Sequence, residues 1–157
     1  MLIEETVREW LEQKLTEESF RGVYIVDIHR TPQKLEIYLD SDDRLDLEMC
    51  TRISRYLGHK IEEADLISDK YILEVSSTGL DRPLKLDRQY VKNIGRWVTV
   101  HVKSGAILEG ILTEVKPDMI IISNEVTEKI EKKKVTKTIE TIILKEDILK
   151  TFIQIKF

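Results

Sequence analysis

The chain has 157 residues, 41% hydrophobic and 34% charged, with a formal net charge of −4, the balance of a soluble globular protein of one domain or two small ones. No apolar run approaches the roughly 20 residues of a membrane helix, and Met1–Glu5 lacks a basic start followed by an apolar core, so neither a membrane span nor a secretory leader is expected. The single cysteine excludes an intramolecular disulfide, which agrees with a cytoplasmic location.

Residues 2–17 place Ile3, Val7, Trp10, Leu11 and Leu15 at three- and four-residue steps, with Glu4, Glu5, Arg8, Glu9, Glu12 and Lys14 between them. That spacing predicts an amphipathic helix with one core-facing stripe. Arg21-Gly22 ends it, and Val23–Ile28 and Leu35–Leu39 then alternate as two strands around Thr31-Pro32-Gln33. After the polar loop Asp40–Arg44, a second helix starts with Asp46 as its N-cap and sets Leu47, Cys50, Ile53 or Ser54, Leu57 and Ile61 on one face. Cys50 lies on that stripe and reads as a packed, unreactive thiol rather than a nucleophile.

Tyr71–Val75 is rich in β-formers and runs into the turn cluster Ser76–Gly79, where Gly79 takes a positive φ without steric cost. Pro83 holds Arg82 out of the helical region, so the chain leaves the turn extended and Asp81 and Arg82 sit on a shaped loop. By pattern alone this stretch also fits an ordinary strand-to-linker junction at a domain boundary. The order helix, strand, strand, helix, strand predicts an α+β, helix-on-sheet domain over residues 1–86.

A single helical turn is expected at Tyr90, Val91 and Ile94, after which the period changes. Arg96–Val102, Ala106–Val115 with a bend at Gly110, Met119–Ile122, Thr136–Leu144 and Phe152–Phe157 read as five short strands. Turns fall at Lys103-Ser104-Gly105 and Lys116-Pro117-Asp118, with a short turn of helix at Glu146-Asp147-Ile148. Five such strands predict a small SH3-like or Sm-like barrel over residues 87–157. Between its third and fourth strands lies the one basic run, Thr127–Lys137, whose Lys129, Lys132, Lys133, Lys134 and Lys137 are candidates for a secondary RNA contact. The plainer reading is charge that keeps strand ends soluble, since no stacking aromatics are interleaved.

Charge divides unevenly along the chain. Residues 1–88 hold 20 acidic and 13 basic side chains, net −7, and residues 89–157 hold 9 and 12, net +3. An acidic half is a poor autonomous ligand for a phosphate backbone and a suitable partner for a basic protein, or it simply keeps the domain soluble. No enzyme assembles from the motifs. His29, His59 and His101 lie in separate elements without metal-ligand spacing, and no phosphate-binding glycine loop or nucleophile elbow occurs. Ser76 and Ser77 would need a general base from a distant histidine, so catalysis is not expected.

Leu73-Glu74-Val75-Ser76-Ser77 followed by Gly79-Leu80-Asp81-Arg82-Pro83-Leu84 resembles the signature of the bacterial ribosome maturation factor RimP family. Cys50 with Ser54-Arg55 resembles that family's Cys-x-x-x-Ser-Arg helix, and Thr78 departs from the proline the family usually carries there. The resemblance implies a KH-like αββαβ domain followed by a small SH3-like or Sm-like barrel. Gly22, Gly58 and Gly79 form no Gly-x-x-Gly pair, so the KH RNA clamp is not expected with it. It further implies a non-catalytic role in maturation of the small (30S) ribosomal subunit. The implied partners are a basic decoding-region ribosomal protein and ribosomal RNA. No cofactor or metal follows from the residues or the resemblance, and a monomer is expected. On this reading Glu74, Ser76, Ser77, Gly79, Asp81, Arg82 and Pro83 are the interdomain or binding candidates. The alternative is a general RNA-binding module of Sm or KH type.

Overall fold

The computed structural model describes residues 2–79 and 82–154. Helix α1 spans Ile3–Lys14, shorter at its C-terminal end than the apolar spacing predicts. The Thr16 hydroxyl donates to the Gln13 carbonyl at 2.6 Å, a local bond that competes with continuing the helix. A short 3₁₀ turn, Glu18–Phe20, follows and drives Phe20 fully into the core.

Strands β1, Val23–Thr31, and β2, Lys34–Ser41, pair antiparallel through the two-residue turn Pro32-Gln33, with a bulge between Ile25 and Asp27. Alternation along β2 buries Leu35, Ile37 and Leu39 completely on one face. Helix α2, Leu47–Glu63, begins as expected at Asp46, whose carboxylate accepts the Met49 N–H at 2.9 Å. It crosses over the sheet to β3, Ile72–Ser77, which runs parallel to β2 and gives the order β1-β2-β3. Val7 and Leu11 of α1 and Ile53, Leu57 and Ile61 of α2 are buried against the strands, each contributing roughly 2 kcal/mol by area. This is the predicted α+β, helix-on-sheet arrangement in αββαβ order.

The chain divides into two compact units, Met1–Gly79 and Leu80–Phe157. The second opens with α3, Asp87–Lys92, one turn earlier than the spacing of Tyr90, Val91 and Ile94 suggests. The signal missed was Gln89, which is fully buried and accepts the N–H groups of Lys85 and Leu86 at 2.7 and 3.0 Å. Strands β4, Trp97–Val102, β5, Ile107–Val115, β6, Met119–Ile130, β7, Lys133–Leu144, and β8, Ile148–Gln154, form one antiparallel sheet in the order β7-β6-β5-β4-β8. Ile143 of β7 and Ile153 of β8 share one core with Val98, Val100, Leu112 and Ile120, although their strands are the two edges of the sheet. The sheet therefore curls around its own interior, as small barrels do. Gly110 permits the close approach of β5 to β6, since a Cβ there would stand 2.8 Å from the Ser123 carbonyl oxygen, while the irregularity in their ladder falls between Leu112 and Glu114 rather than at the glycine.

Two expectations need correction here. The basic run is not a loop between short strands: β6 and β7 each run 12 residues, and only Glu131 and Lys132 turn. Both turn residues have positive φ, 49° and 68°, the left-handed pair that two-residue hairpins favour. Neither is glycine or asparagine, so nothing in the composition marked a tight turn. The last strand starts at Ile148 rather than Phe152, after a 3₁₀ turn at Lys145–Asp147. Residues 155–157 of the expected strand lie outside the described residues.

Candidate functional site

Of the sequence-predicted site residues, Glu74, Ser76 and Ser77 stand on β3 and are exposed, and Gly79 follows with φ +64°. Asp81 lies outside the described residues. Arg82 and Pro83 are half-buried, and Leu84 donates its N–H to the Thr151 carbonyl of β8 at 2.8 Å. Thr78 also has a definite local role: its N–H donates to the Leu39 carbonyl at 3.2 Å, extending the β2–β3 ladder by a bond that proline could not make.

Glu74 belongs to a charged cluster on the sheet face opposite the helices. Lys34 bridges Glu74 at 3.1 Å and Glu36 at 3.5 Å, and the hydrogen bond from Lys34 to Glu74 holds its ammonium above the usual range. The Tyr38 hydroxyl donates to Glu36, holding that carboxyl below its ordinary value. The sequence pattern did not reveal this cluster. Its signal was the alternation Lys34, Glu36, Tyr38 along β2, which sets all three on one face.

The other side of β3 meets α2. A groove of about 490 Å³ is lined by Leu47, Cys50, Ser54 and Arg55 from the helix and by Leu73 and Val75 from the strand. Cys50, Ser54 and Arg55 of one resembling segment and Leu73, Glu74, Val75 and Ser76 of the other thus line one groove. Cys50 is buried there, and burial raises its thiol pKa, with Asp46 adding to the shift. An inert, packed thiol is what those surroundings produce.

Neither Ser76 nor Ser77 hydrogen-bonds to a histidine among the described residues. His59 pairs with Glu63 at 2.9 Å, and His101 meets the Phe152 ring edge-on at 5.8 Å. No cluster of metal-ligating side chains occurs among the described residues, and none of their helices is long and apolar enough to cross a membrane.

The candidate lysines stand together on the β6–β7 ribbon rather than in a loop. Lys129 and Lys134 are cross-strand partners, Lys133 and Lys137 project from β7, and Lys132 is in the turn. Lys137 is paired with Glu128 at 3.4 Å. The same face as Lys133 and Lys137 carries Val126, Ile130, Val135 and Ile139, all exposed. Strand alternation would have shown that amphipathic ribbon had the turn been placed.

Residues 12–81 match the model of the RimP N-terminal domain. The chain is 34% identical over 155 residues to a ribosome maturation factor RimP from Flavobacterium psychrophilum, covering 98% of this chain and 95% of that protein. It is 31% identical over 121 residues to a ribosome maturation factor RimP from Cytophaga hutchinsonii, covering 76% of this chain and 69% of that protein. With near-complete coverage at that identity, the chain belongs to the ribosome maturation factor RimP family.

Proposed function

We propose that this protein is a ribosome assembly factor that acts in the cytoplasm as a monomer, by binding to the maturing small (30S) subunit rather than by catalysis. The observation that carries the reading is near full-length membership of a family whose members are named ribosome maturation factors. The charge distribution supports its finer part: residues 1–79 hold 18 acidic and 10 basic side chains, net −8, against 11 and 15, net +4, in residues 80–157. An acidic unit repels naked RNA and steers a basic ribosomal protein, such as one of the decoding region, toward itself. Glu74, Ser76, Ser77 and Gly79, with Asp81, Arg82 and Pro83 after them, are the proposed contact or hinge residues on that side. Ribosomal RNA is the proposed secondary partner, met by Lys129, Lys132, Lys133, Lys134 and Lys137. A domain boundary after Leu86 belongs to the same proposal, and limited proteolysis should then cut within about five residues of it.

Sedimentation of a lysate carrying the tagged chain tests the role. The chain should travel with free small subunits and be absent from full ribosomes. Migration with full ribosomes, or only with small free RNAs, would reject it. The latter result would favour a general RNA-binding module, the reading that the lysines of the ribbon support by themselves.

A further inference from the structure

The two sheets have four edges, and three of them are protected against further strand pairing. β1 carries the bulge at Val26 with Asp27, His29 and Arg30 beyond it. β7 carries Lys133, Lys134 and Lys137, and β8 has the Leu84 N–H bonded to its Thr151 carbonyl. Bulges, lysines and covering segments are the usual means of blunting an edge.

β3 carries no lysine and no bulge among the described residues. Its ladder to β2 uses alternate residues: the Ile72 N–H donates to the Gln33 carbonyl at 2.9 Å and the Thr78 N–H to the Leu39 carbonyl. In a parallel pair this phase turns the N–H and C=O groups of Leu73, Val75 and Ser77 away from the sheet. No strand pairs with that side among the described residues. Directly beside this edge lies the groove against α2, with Leu47 83% exposed at its lip. Backbone groups awaiting a partner and a groove for alternate side chains are the two requirements of strand addition.

We infer that the β3 edge receives an extended segment of a basic ribosomal protein, which adds as a fourth strand and sends alternate side chains into the α2–β3 groove. This rests on the reading of the chain as an assembly factor with a ribosomal-protein partner. The occupant is assigned by charge. The unit presenting the edge carries net −8, and Glu74, bridged to Lys34 beside the edge, balances Arg55 in the groove lining, so the attraction comes from the unit as a whole. RNA would meet repulsion from that unit and would leave the outward N–H and C=O pairs in poor register, whereas a polypeptide strand matches both.

The test uses the full-length chain, purified small-subunit ribosomal proteins one at a time, and small-subunit ribosomal RNA as a separate probe. In the free chain the amides of Leu73, Val75 and Ser77 should exchange quickly with deuterium. Binding of one basic ribosomal protein should slow all three. Ser77→Pro deletes an outward N–H while sparing the β2 ladder, and should weaken binding about tenfold, the equivalent of one lost hydrogen bond. A ribosomal protein that binds without slowing those amides, and binds Ser77→Pro equally well, overturns strand addition and leaves the assembly-factor reading intact. Exchange in the unmodified chain decides this even if Ser77→Pro folds poorly. Binding of the RNA with no ribosomal protein bound overturns the partner reading itself, and the strand-addition inference with it.

Discussion

The two units solve the same problem, burying one face of a small sheet, in opposite ways. In residues 1–79 a three-stranded sheet is covered by α1 and α2, so strand β3 ends beside a helix with its outer edge unpaired among the described residues. In residues 80–157 a five-stranded sheet curls until its two edge strands share a core, needing only the short α3 besides. A helix-covered sheet leaves an edge and a groove beside it, whereas a curled sheet brings its edges together and projects its longest hairpin outward. The charge follows the same division, −8 against +4, so the unit with the open edge is also the acidic one.

The sharpest way to break this comparison is to damage one core at a time. Leu57→Ala and Leu112→Ala each remove a fully buried side chain from one unit and should each cost about 2–5 kcal/mol. Calorimetry should show two transitions, with each substitution lowering only its own. A single transition that moves as a whole with either substitution would mean that the units do not fold separately.

Gly110→Ala is expected to cost about 1–3 kcal/mol, confined to the curled sheet, because the new methyl would press on the Ser123 backbone rather than on a movable side chain. Pushing β5 and β6 apart should also broaden amide resonances along both strands. Asp46→Ala should cost about 1 kcal/mol in the first unit alone, by removing the acceptor for the Met49 N–H, and Asp46→Asn should recover most of it. Chemical denaturation followed at Trp10, in that unit, reads this directly.

The smallest effect belongs to the ribbon. Val126→Thr and Ile139→Thr should change stability by no more than about 0.5 kcal/mol, since both side chains are exposed on a projecting hairpin. A larger loss in the chemical-denaturation midpoint would mean that this apolar face is covered in solution and does not project.

Much of the architecture was legible in local sequence because it follows from local chemistry. The three- and four-residue steps of Val7, Leu11, Ile53, Leu57 and Ile61 describe helices with one buried stripe, and the alternation of Leu35, Ile37 and Leu39 describes a strand with one buried face. Asp46 marks a cap because its carboxylate reaches only a few residues along the chain. The signature around β3 is a local run of residues that carries the family resemblance by itself, and the charge imbalance is countable residue by residue. What stayed hidden was set by partners distant in sequence or by backbone conformations without a compositional mark. Glu131 and Lys132 adopt the left-handed conformation although neither is a residue that favours it, because two long strands close through them. The groove that joins Cys50, Ser54 and Arg55 to Leu73 and Val75 exists only once the crossover lays α2 beside a parallel edge strand. The direction in which Leu73, Val75 and Ser77 present their backbone groups depends on the phase of the β2 ladder, a pairing decided across the sheet and not along the chain.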